Sequence, residues 1–259
     1  MLFLLSKIQC SLNKQFYNSP NDLVLESGEV LKKPTVAYNT YGSLSDKKDN
    51  VVWIFHALTA ASNVDEWWDG LVGEGKLFDP KKYFIVCANM LGSCYGSSGP
   101  NSINPDTGKA YNHLFPDVTI RDIINSQIEL KNHLKIDKIK MAVGGSCGGY
   151  QALEWLLMEP KTIEHYTICV TSPKESAWGI AVHTAHRTAI ELDPSWGDDD
   201  TNSGLEGMKA ARQIGLLFYR NHEIYHQNQT EKTNEKVKEF SATSYLKYQG
   251  EKLAKRFSP

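Results

Sequence analysis

Apolar residues follow two different periods along the first two thirds of the chain. Short runs that are apolar almost throughout and end at polar turns are typical of strands buried in a parallel sheet. Segments with apolar residues three and four positions apart predict helices, and one of them has Asp117 or Thr119 as its cap. Strands and helices alternate, which predicts βαβ units with right-handed crossovers. The strands are PTVAYNTYG (34–42), NVVWIFHAL (50–58), KYFIVCANM (82–90), KIKMAVGGS (138–146) and IEHYTICVTS (163–172), and the helices are PDVTIRDIINSQIELKNHL (116–134) and GYQALEWLLMEP (149–160).

The pattern changes after Pro173. Two segments with helical spacing, 175–193 and 204–226, precede a polar and charged stretch at 228–257, and no further buried strand is predicted. We therefore predict an α/β core over residues 1–175 and a helical region over 176–259 that forms a lid on that core.

Composition narrows the class of protein. The 259 residues are 41% hydrophobic. With 28 basic and 30 acidic residues the net charge is −2, which gives no indication of nucleic-acid binding. No apolar run is long enough to span a bilayer, and we interpret the opening MLFLLSK as neither signal peptide nor anchor. An odd number of scattered cysteines predicts reduced thiols and a cytoplasmic protein. These are Cys10, Cys87, Cys94, Cys147 and Cys169.

Between the fourth predicted strand and the helix after it lies the turn GGSCG, 144–148. It fits the nucleophile elbow G-x-S-x-G, in which a tight turn exposes a strained serine, here Ser146. The backbone N–H of Cys147 would then face a developing oxyanion at the helix N-terminus. Shifted by one residue, the same turn fits G-x-C-x-G with Cys147 as the nucleophile, and a glycine-rich turn that only packs closely is the third interpretation.

Seven longer segments carry a family resemblance: HALTAASN, WWDGLVGEGKLFDPKKYFIVCANMLGSCYGSSGPNSINPDTGKAY, FPDVTIRD, GGSCGGYQALEW, LDPSW, AARQIGLLFYR and SYLKYQGEKLAKRF. Together they resemble the homoserine O-acetyltransferases, a family with the α/β-hydrolase fold. That resemblance implies a mostly parallel sheet with helices on both faces and a helical lid. It also implies transfer of acetyl from acetyl-CoA to the hydroxyl of L-homoserine through an acyl-serine, in methionine biosynthesis, with no cofactor or metal and with a homodimer formed through the lid helices.

The resemblance also assigns roles to single residues. Ser146 matches the acyl-accepting serine, and the backbone amides of Leu58 and Cys147 match the oxyanion hole, although Cys147 replaces the methionine usual in the family. Arg212 matches the arginine that binds the homoserine carboxylate, a task that suits a planar guanidinium. We expect His56 to make a structural hydrogen bond and to take no part in catalysis.

The chain departs from the family in its catalytic acid and base. Family members continue through further strand–loop units that carry the aspartate and histidine of the triad, and no residue here matches either of them. We therefore expect this chain to lack the C-terminal part of the fold and to be inactive by itself. An internal substitute triad would have to come from the helical region. The candidates there are His183, His186, His222, His226, Asp193, Asp198, Asp199 and Asp200.

A second motif, HEIYH at 222–226, matches the zinc signature H-E-x-x-H, with Glu223 as base and a residue such as Glu239 as third ligand. The plainer interpretation is a lid helix with surface histidines, which we favour. The competing functions are thus a serine hydrolase, a non-catalytic binding or dimerising protein, and a zinc protease. The sequence does not distinguish an acetyl donor from a succinyl donor.

Overall fold

The computed structural model describes residues 14–233 and 238–259 of the chain. The opening segment that we interpreted as neither signal peptide nor anchor therefore lies outside the described residues, as does Cys10. The chain divides into two compact units, one ending at Pro173 and one running from Lys174 to Pro259. No helix in the described part of the chain combines the length and the apolar character needed to cross a membrane.

The first unit is built on a mixed sheet whose central strands are parallel. Its strands and those of a small hairpin are β1 Lys14–Asn18, β2 Leu23–Val24, β3 Val30–Leu31, β4 Thr35–Tyr41, β5 Val51–Phe55, β6 Phe84–Ala88, β7 Ile139–Gly145 and β8 Ile163–Cys169. The order in the mixed sheet is β1-β4-β6-β5-β7-β8, in which the β6–β5, β5–β7 and β7–β8 pairs are parallel and the β1–β4 and β4–β6 pairs are antiparallel. A separate hairpin joins β2 and β3.

Each of the five strands predicted from apolar runs is present, as β4 to β8, and both predicted helices form. The helices of this unit are α1 Val64–Trp67, α2 Ile120–His133 and α3 Cys147–Met158, with a 3₁₀ turn at Asn112–Leu114. Of the two candidate caps of α2, Thr119 is the one used. Its side chain accepts a hydrogen bond from the backbone N–H of Asp122, and the Asp122 side chain accepts one from the backbone N–H of Thr119 in return.

Alternate residues of the buried strands point to opposite faces of the sheet and pack into two hydrophobic cores. One core contains Trp53 and Phe55 and is closed by α2 and α3, where Trp155 meets Trp53 edge-on with 5.2 Å between ring centroids. The other contains Val52 and Ile54 and is closed by the segment 64–78, which carries α1. Since β5 is buried on both faces, its sequence is apolar at every position, as a central parallel strand requires.

The second unit is helical, with α4 Ala177–Glu191, α5 Leu205–Tyr219, α6 His222–Gln229 and α7 Ser241–Ala254. A small core of Met208, Leu253 and Ala254 lies between α5 and α7. The prediction of one helical segment over 204–226 was wrong in one respect, because the helix ends at Tyr219 and a new one begins at His222. That the second unit acts as a lid stays a prediction.

Candidate active site

Ser146 lies at the junction of β7 and α3, in the conformation that an elbow demands. Its φ is 55° and its ψ is −123°, a left-handed φ that costs a non-glycine residue free energy. The residue is exposed, and its hydroxyl makes no hydrogen bond within the described residues. A strained, exposed serine between a buried strand and a helix N-terminus is an arrangement suited to nucleophilic attack.

Two glycines of the turn are required by space. A Cβ at Gly144 would lie 2.2 Å from the carbonyl oxygen of Gly148, and a Cβ at Gly148 would lie 2.2 Å from the carbonyl oxygen of Phe55. Both obstacles are backbone atoms, which cannot rotate away as a side chain could. The glycines therefore allow α3 to start against β5, and this close packing lifts Ser146 above the end of the sheet.

Replacing Gly148 tests this packing. We expect Gly148→Ala to lower the free energy of unfolding by about 3 kcal/mol, the upper range for forcing extra atoms into a packed interior. Gly70→Ala is the matched control, because a Cβ at Gly70 would lie within 4 Å of no atom beyond its two chain neighbours in residues 14–233 and 238–259. Urea denaturation of both variants measures the difference, and equal stability of the two would contradict the close approach of α3 to β5.

The elbow is tied to the end of β8 by contacts that the sequence analysis did not foresee. The backbone N–H of Ser146 donates to the carbonyl of Cys169 at 3.1 Å, and the Thr171 hydroxyl donates to the carbonyl of Ser146 at 2.8 Å. Thr171 lies two positions after β8, the parallel strand at one edge of the sheet, and residues that follow the carboxyl ends of parallel strands often reach the functional end of a sheet. That position indicates a residue near the functional end of the sheet, but nothing in the sequence indicates its bond to Ser146.

The structure favours Ser146 over Cys147 as the nucleophile. The Cys147 sulfur turns inward and lies 3.6 Å from the sulfur of Met90. Burial raises the pKa of the Cys147 thiol to about 11, which keeps it un-ionised at neutral pH. Since the thiolate is the reactive form of cysteine, Cys147 is a poor nucleophile here.

His56 is buried and holds the loop that follows β5. Its Nδ1–H donates to the carbonyl of Ala57 at 2.8 Å, and its Nε2 accepts from the backbone N–H of Met90 at 3.3 Å. Both ring nitrogens are therefore occupied, and the imidazole must be neutral to accept at Nε2. The expected structural hydrogen bond of His56 is confirmed, and it joins the Ala57–Leu58 loop to the segment after β6.

The same loop is anchored at its far end by a buried polar network. The backbone N–H of Ser62 donates to Asn89 Oδ1 at 2.8 Å, and the Ser62 hydroxyl donates to Asn39 Oδ1 at 2.7 Å while accepting from Asn89 Nδ2 at 3.1 Å. Midway along, the Tyr95 hydroxyl donates to the carbonyl of Thr59 at 3.1 Å. Polar groups buried in a satisfied network rigidify the structure around them, so the loop that carries Leu58 is held at both ends.

The two predicted oxyanion-hole amides have no hydrogen-bond acceptor in the part of the chain that the structure describes. Within the described residues, no hydrogen bond is donated by the backbone N–H of Leu58 or of Cys147. Cys147 is the first residue of α3, where a helix leaves its amides unpaired and its dipole favours negative charge. Both donors are thus available to a ligand.

Burial lowers the pKa of His56 to about 4, against a smaller opposing effect of its hydrogen bond to Ala57. The unfolded chain takes up a proton at histidine near pH ~6.5. Below that pH it binds a proton that the folded chain excludes, so His56 favours folding above about pH 6.5 and loses that contribution as the pH falls towards 4.

We therefore expect the free energy of unfolding to drop by up to about 3 kcal/mol over this interval because of His56. In His56→Gln, which keeps a donor and an acceptor, that part of the acid dependence should vanish, although the stability at neutral pH falls. His113→Gln, at an exposed position, is the control. Urea denaturation across the interval measures the slope, and an unchanged slope in His56→Gln would refute the assignment.

Arg212 lies on α5, half-buried, and forms no ion pair within the described residues.

The candidate acid Asp193 has a structural role, since its carboxylate accepts hydrogen bonds from the backbone N–H groups of Gly207 and Ser195 at 2.8 and 2.9 Å. These bonds hold the pKa of Asp193 below its ordinary value. HEIYH lies on α6, and Glu239, considered as a third ligand, bonds instead to Lys247 and Ser244.

Residues 50–250 match the α/β hydrolase fold family. The chain is 45% identical over 247 residues to a homoserine O-acetyltransferase of Cyclobacterium marinum, covering 95% of this chain and 70% of that protein. Among solved structures, homoserine O-acetyltransferase from Bacillus anthracis superposes with a TM-score of 0.83 at 27% identity, over 93% of this chain and 71% of that one. Esterase E22 superposes with a TM-score of 0.84 at 27% identity, over 94% and 74%.

The sheet order, the serine elbow and these matches define an α/β-hydrolase-fold protein, so the predicted fold class is confirmed. Within that class, the chain belongs to the homoserine O-acetyltransferase family. It spans between 65% and 70% of the length of the first curated relatives it matches.

Proposed function

We propose that the chain takes part in acetyl transfer from acetyl-CoA to the hydroxyl of L-homoserine, with Ser146 as the acyl carrier. The observation that carries the proposal is the strained, exposed Ser146 at the start of α3, beside the unused amide of Cys147. The names of the relatives support an acetyl rather than a succinyl donor.

The reaction divides into two transfers. The Ser146 oxygen attacks the thioester carbon, the carbon–sulfur bond breaks, and CoA leaves with the proton that a general base removed from the serine. The homoserine oxygen then attacks the acetyl-serine, its proton goes to the base, and the serine recovers its hydroxyl. One difficult transfer becomes two easier ones through the covalent intermediate.

The backbone amides of Leu58 and Cys147 would stabilise the negative charge on the carbonyl oxygen in both transfers. Donors held in place before the reaction need no reorganisation as charge develops, which makes such stabilisation effective. The anchoring of the Leu58 loop by His56 and Ser62 supports this role, because a loop fixed at both ends keeps its N–H in place.

Neither a base nor an acid is supplied to Ser146 by the described part of the first unit, where His56 has both ring nitrogens occupied. We propose that residues 1–259 by themselves are inactive. A base and an acid provided by additional residues, such as those of the longer relatives, would complete the site.

Arg212 is proposed to bind the carboxylate of homoserine. A half-buried guanidinium without an ionic partner in the described residues is available for a charge-assisted pair with a carboxylate. This residue distinguishes acyl transfer from plain hydrolysis, in which the acyl-serine passes to water. The structural similarity to esterase E22 makes hydrolysis the second candidate.

Replacing Arg212 separates the two functions. The test protein is the chain extended with the C-terminal segment of the Cyclobacterium marinum relative, called here the extended enzyme. In it, Arg212→Ala should lower kcat/KM for homoserine by about thirtyfold, the loss of one charge-assisted contact of about 2 kcal/mol, and leave acetyl-CoA cleavage nearly unchanged. Arg187→Ala, an exposed arginine on α4, is the control. An equal loss in both half-reactions, or acetate formed in place of O-acetylhomoserine by the unmutated enzyme, would overturn the proposal.

We also propose the metabolic pathway, the cellular compartment and the oligomeric state. O-Acetylation of homoserine belongs to methionine biosynthesis, and free thiols at Cys87, Cys147 and Cys169 support a cytoplasmic setting. A homodimer through the helical unit is supported by exposed aromatic residues on α4 and α5, where Trp178 and Phe218 pack edge-on at 5.6 Å.

A further inference from the structure

Helix α6 carries two histidines for which acyl transfer has no use. His222 is the first residue of α6 and His226 follows one turn later. The helix has no buried residue, and both imidazoles are exposed. Side chains four positions apart on a helix lie on the same face, which brings these rings together.

The two rings are stacked and unengaged. Their centroids are 6.4 Å apart and their planes differ by 10°, so the imidazoles stand side by side along one face. Within the described residues, neither ring makes a hydrogen bond or an ion pair. One ring nitrogen of each imidazole can therefore donate its lone pair to a bound cation.

The other close pair of histidines differs in this respect. His183 and His186 on α4 have centroids 5.9 Å apart, but His183 Nδ1 contacts Glu175 Oε1 at 2.5 Å, and His186 Nε2 is buried with no hydrogen-bond partner in the described part of the chain. A cation could reach this pair only by displacing a carboxylate and opening the packing around α4. The two pairs thus provide an internal comparison.

We propose that His222 and His226 form a bidentate site for a divalent transition-metal ion of the Ni²⁺, Cu²⁺ and Zn²⁺ class. Imidazole is a preferred ligand of these ions, whereas Mg²⁺ and Ca²⁺ prefer oxygen. The remaining coordination positions are taken by water or by a small chelator.

The site holds the ion by two protein ligands only. No group of three or more His, Cys, Asp or Glu side chains in the described residues is placed to hold a metal. Glu223 follows His222 by one position and is rotated from it by about 100° around the helix, away from the histidine face. The site therefore differs from the zinc protease considered for HEIYH, which needs a third protein ligand and Glu223 as base.

Chelation by both imidazoles would also fasten one turn of α6. An ion bound at both ends of the turn holds its backbone in the helical conformation, which a single imidazole does not do. Amide hydrogen exchange in α6 should therefore slow when the ion binds, and this readout separates chelation from loose attachment to one histidine.

The test is a calorimetric titration of the full chain with the nickel complex of nitrilotriacetate, which leaves a pair of adjacent positions open for imidazoles. The chain should bind one equivalent. His222→Ala and His226→Ala should each weaken binding by at least about tenfold, the loss that follows even from removing an outer-shell partner of a metal ligand. His183→Ala should bind as the unmutated chain does. Mg²⁺ should give no signal.

A spacing variant keeps the number of histidines constant. The double substitution His226→Ala with Gln227→His moves the second imidazole off the shared face, and it should bind as weakly as His226→Ala and show no slowing of exchange in α6. All of these positions are exposed, and circular dichroism checks that each variant folds. Undiminished binding in the spacing variant, or loss of binding in His183→Ala instead, would overturn the proposal, as would binding without slower exchange in α6.

Discussion

Residues 1–259, purified and mixed with acetyl-CoA and L-homoserine, are expected to form no detectable O-acetylhomoserine. Without a base, the Ser146 hydroxyl stays a neutral alcohol and a weak nucleophile. Removal of the histidine from a serine triad costs about a million-fold in turnover, and what remains comes from the oxyanion hole and binding alone. His56 cannot take over, since its Nδ1 and Nε2 are both engaged and its side chain is buried.

The control for this experiment is the extended enzyme, which should form O-acetylhomoserine under the same conditions. Product analysis by mass spectrometry measures both reactions. Robust turnover by residues 1–259 alone, abolished by substitution of His222 or His226, would show that the chain contains an internal triad and would contradict the account.

The second large effect concerns the choice of nucleophile. In the extended enzyme, Ser146→Ala should lower kcat by about a million-fold, as loss of the nucleophile does in other serine triads. Cys147→Ala should keep most of the activity, because Cys147 contributes its backbone N–H and not its thiol. Labelling with a serine-directed fluorophosphonate should follow the same order.

The neighbouring cysteine provides its own control. The thiol of Cys147 packs against Met90, so Cys147→Ala removes a small contact and lowers the stability slightly. Activity and labelling that survive Ser146→Ala and disappear in Cys147→Ala would reverse the assignment.

Most of the first unit could be predicted because its central strands are buried on both faces. β5 and β6 are apolar at consecutive positions, and such runs between polar turns are hard to mistake. The elbow could be predicted for a related reason, since the glycines at 144 and 148 are imposed by backbone atoms that leave no space for a Cβ. Local sequence therefore contained the constraint in both cases.

The break between α5 and α6 had a local signal that periodicity hid. The apolar spacing continues across 204–226, but Asn221 caps α6 through its side chain, which accepts from the backbone N–H of Ile224. An asparagine before a helical segment is a start signal, and it decides the boundary here.

The supports of the site could not be predicted, because they join residues that are far apart in sequence. The Ser62 and Asn89 bond spans 27 positions, and the Thr171 hydroxyl reaches Ser146 across 25. No period or motif encodes such pairs, which depend on the order of strands in the sheet. The role of Arg212 likewise follows only from the family resemblance and remains a prediction.

The central claim is that the acetyl group is carried by Ser146. The extended enzyme should be mixed with acetyl-CoA without homoserine, quenched with acid, digested and analysed by peptide mass spectrometry. We expect the added mass of one acetyl group on the peptide that contains Ser146, fragment ions that place it on the serine oxygen, and its loss when homoserine is added before the quench. An acetyl group on Cys147 or on a histidine, or none on Ser146 while O-acetylhomoserine is still produced, would contradict this claim.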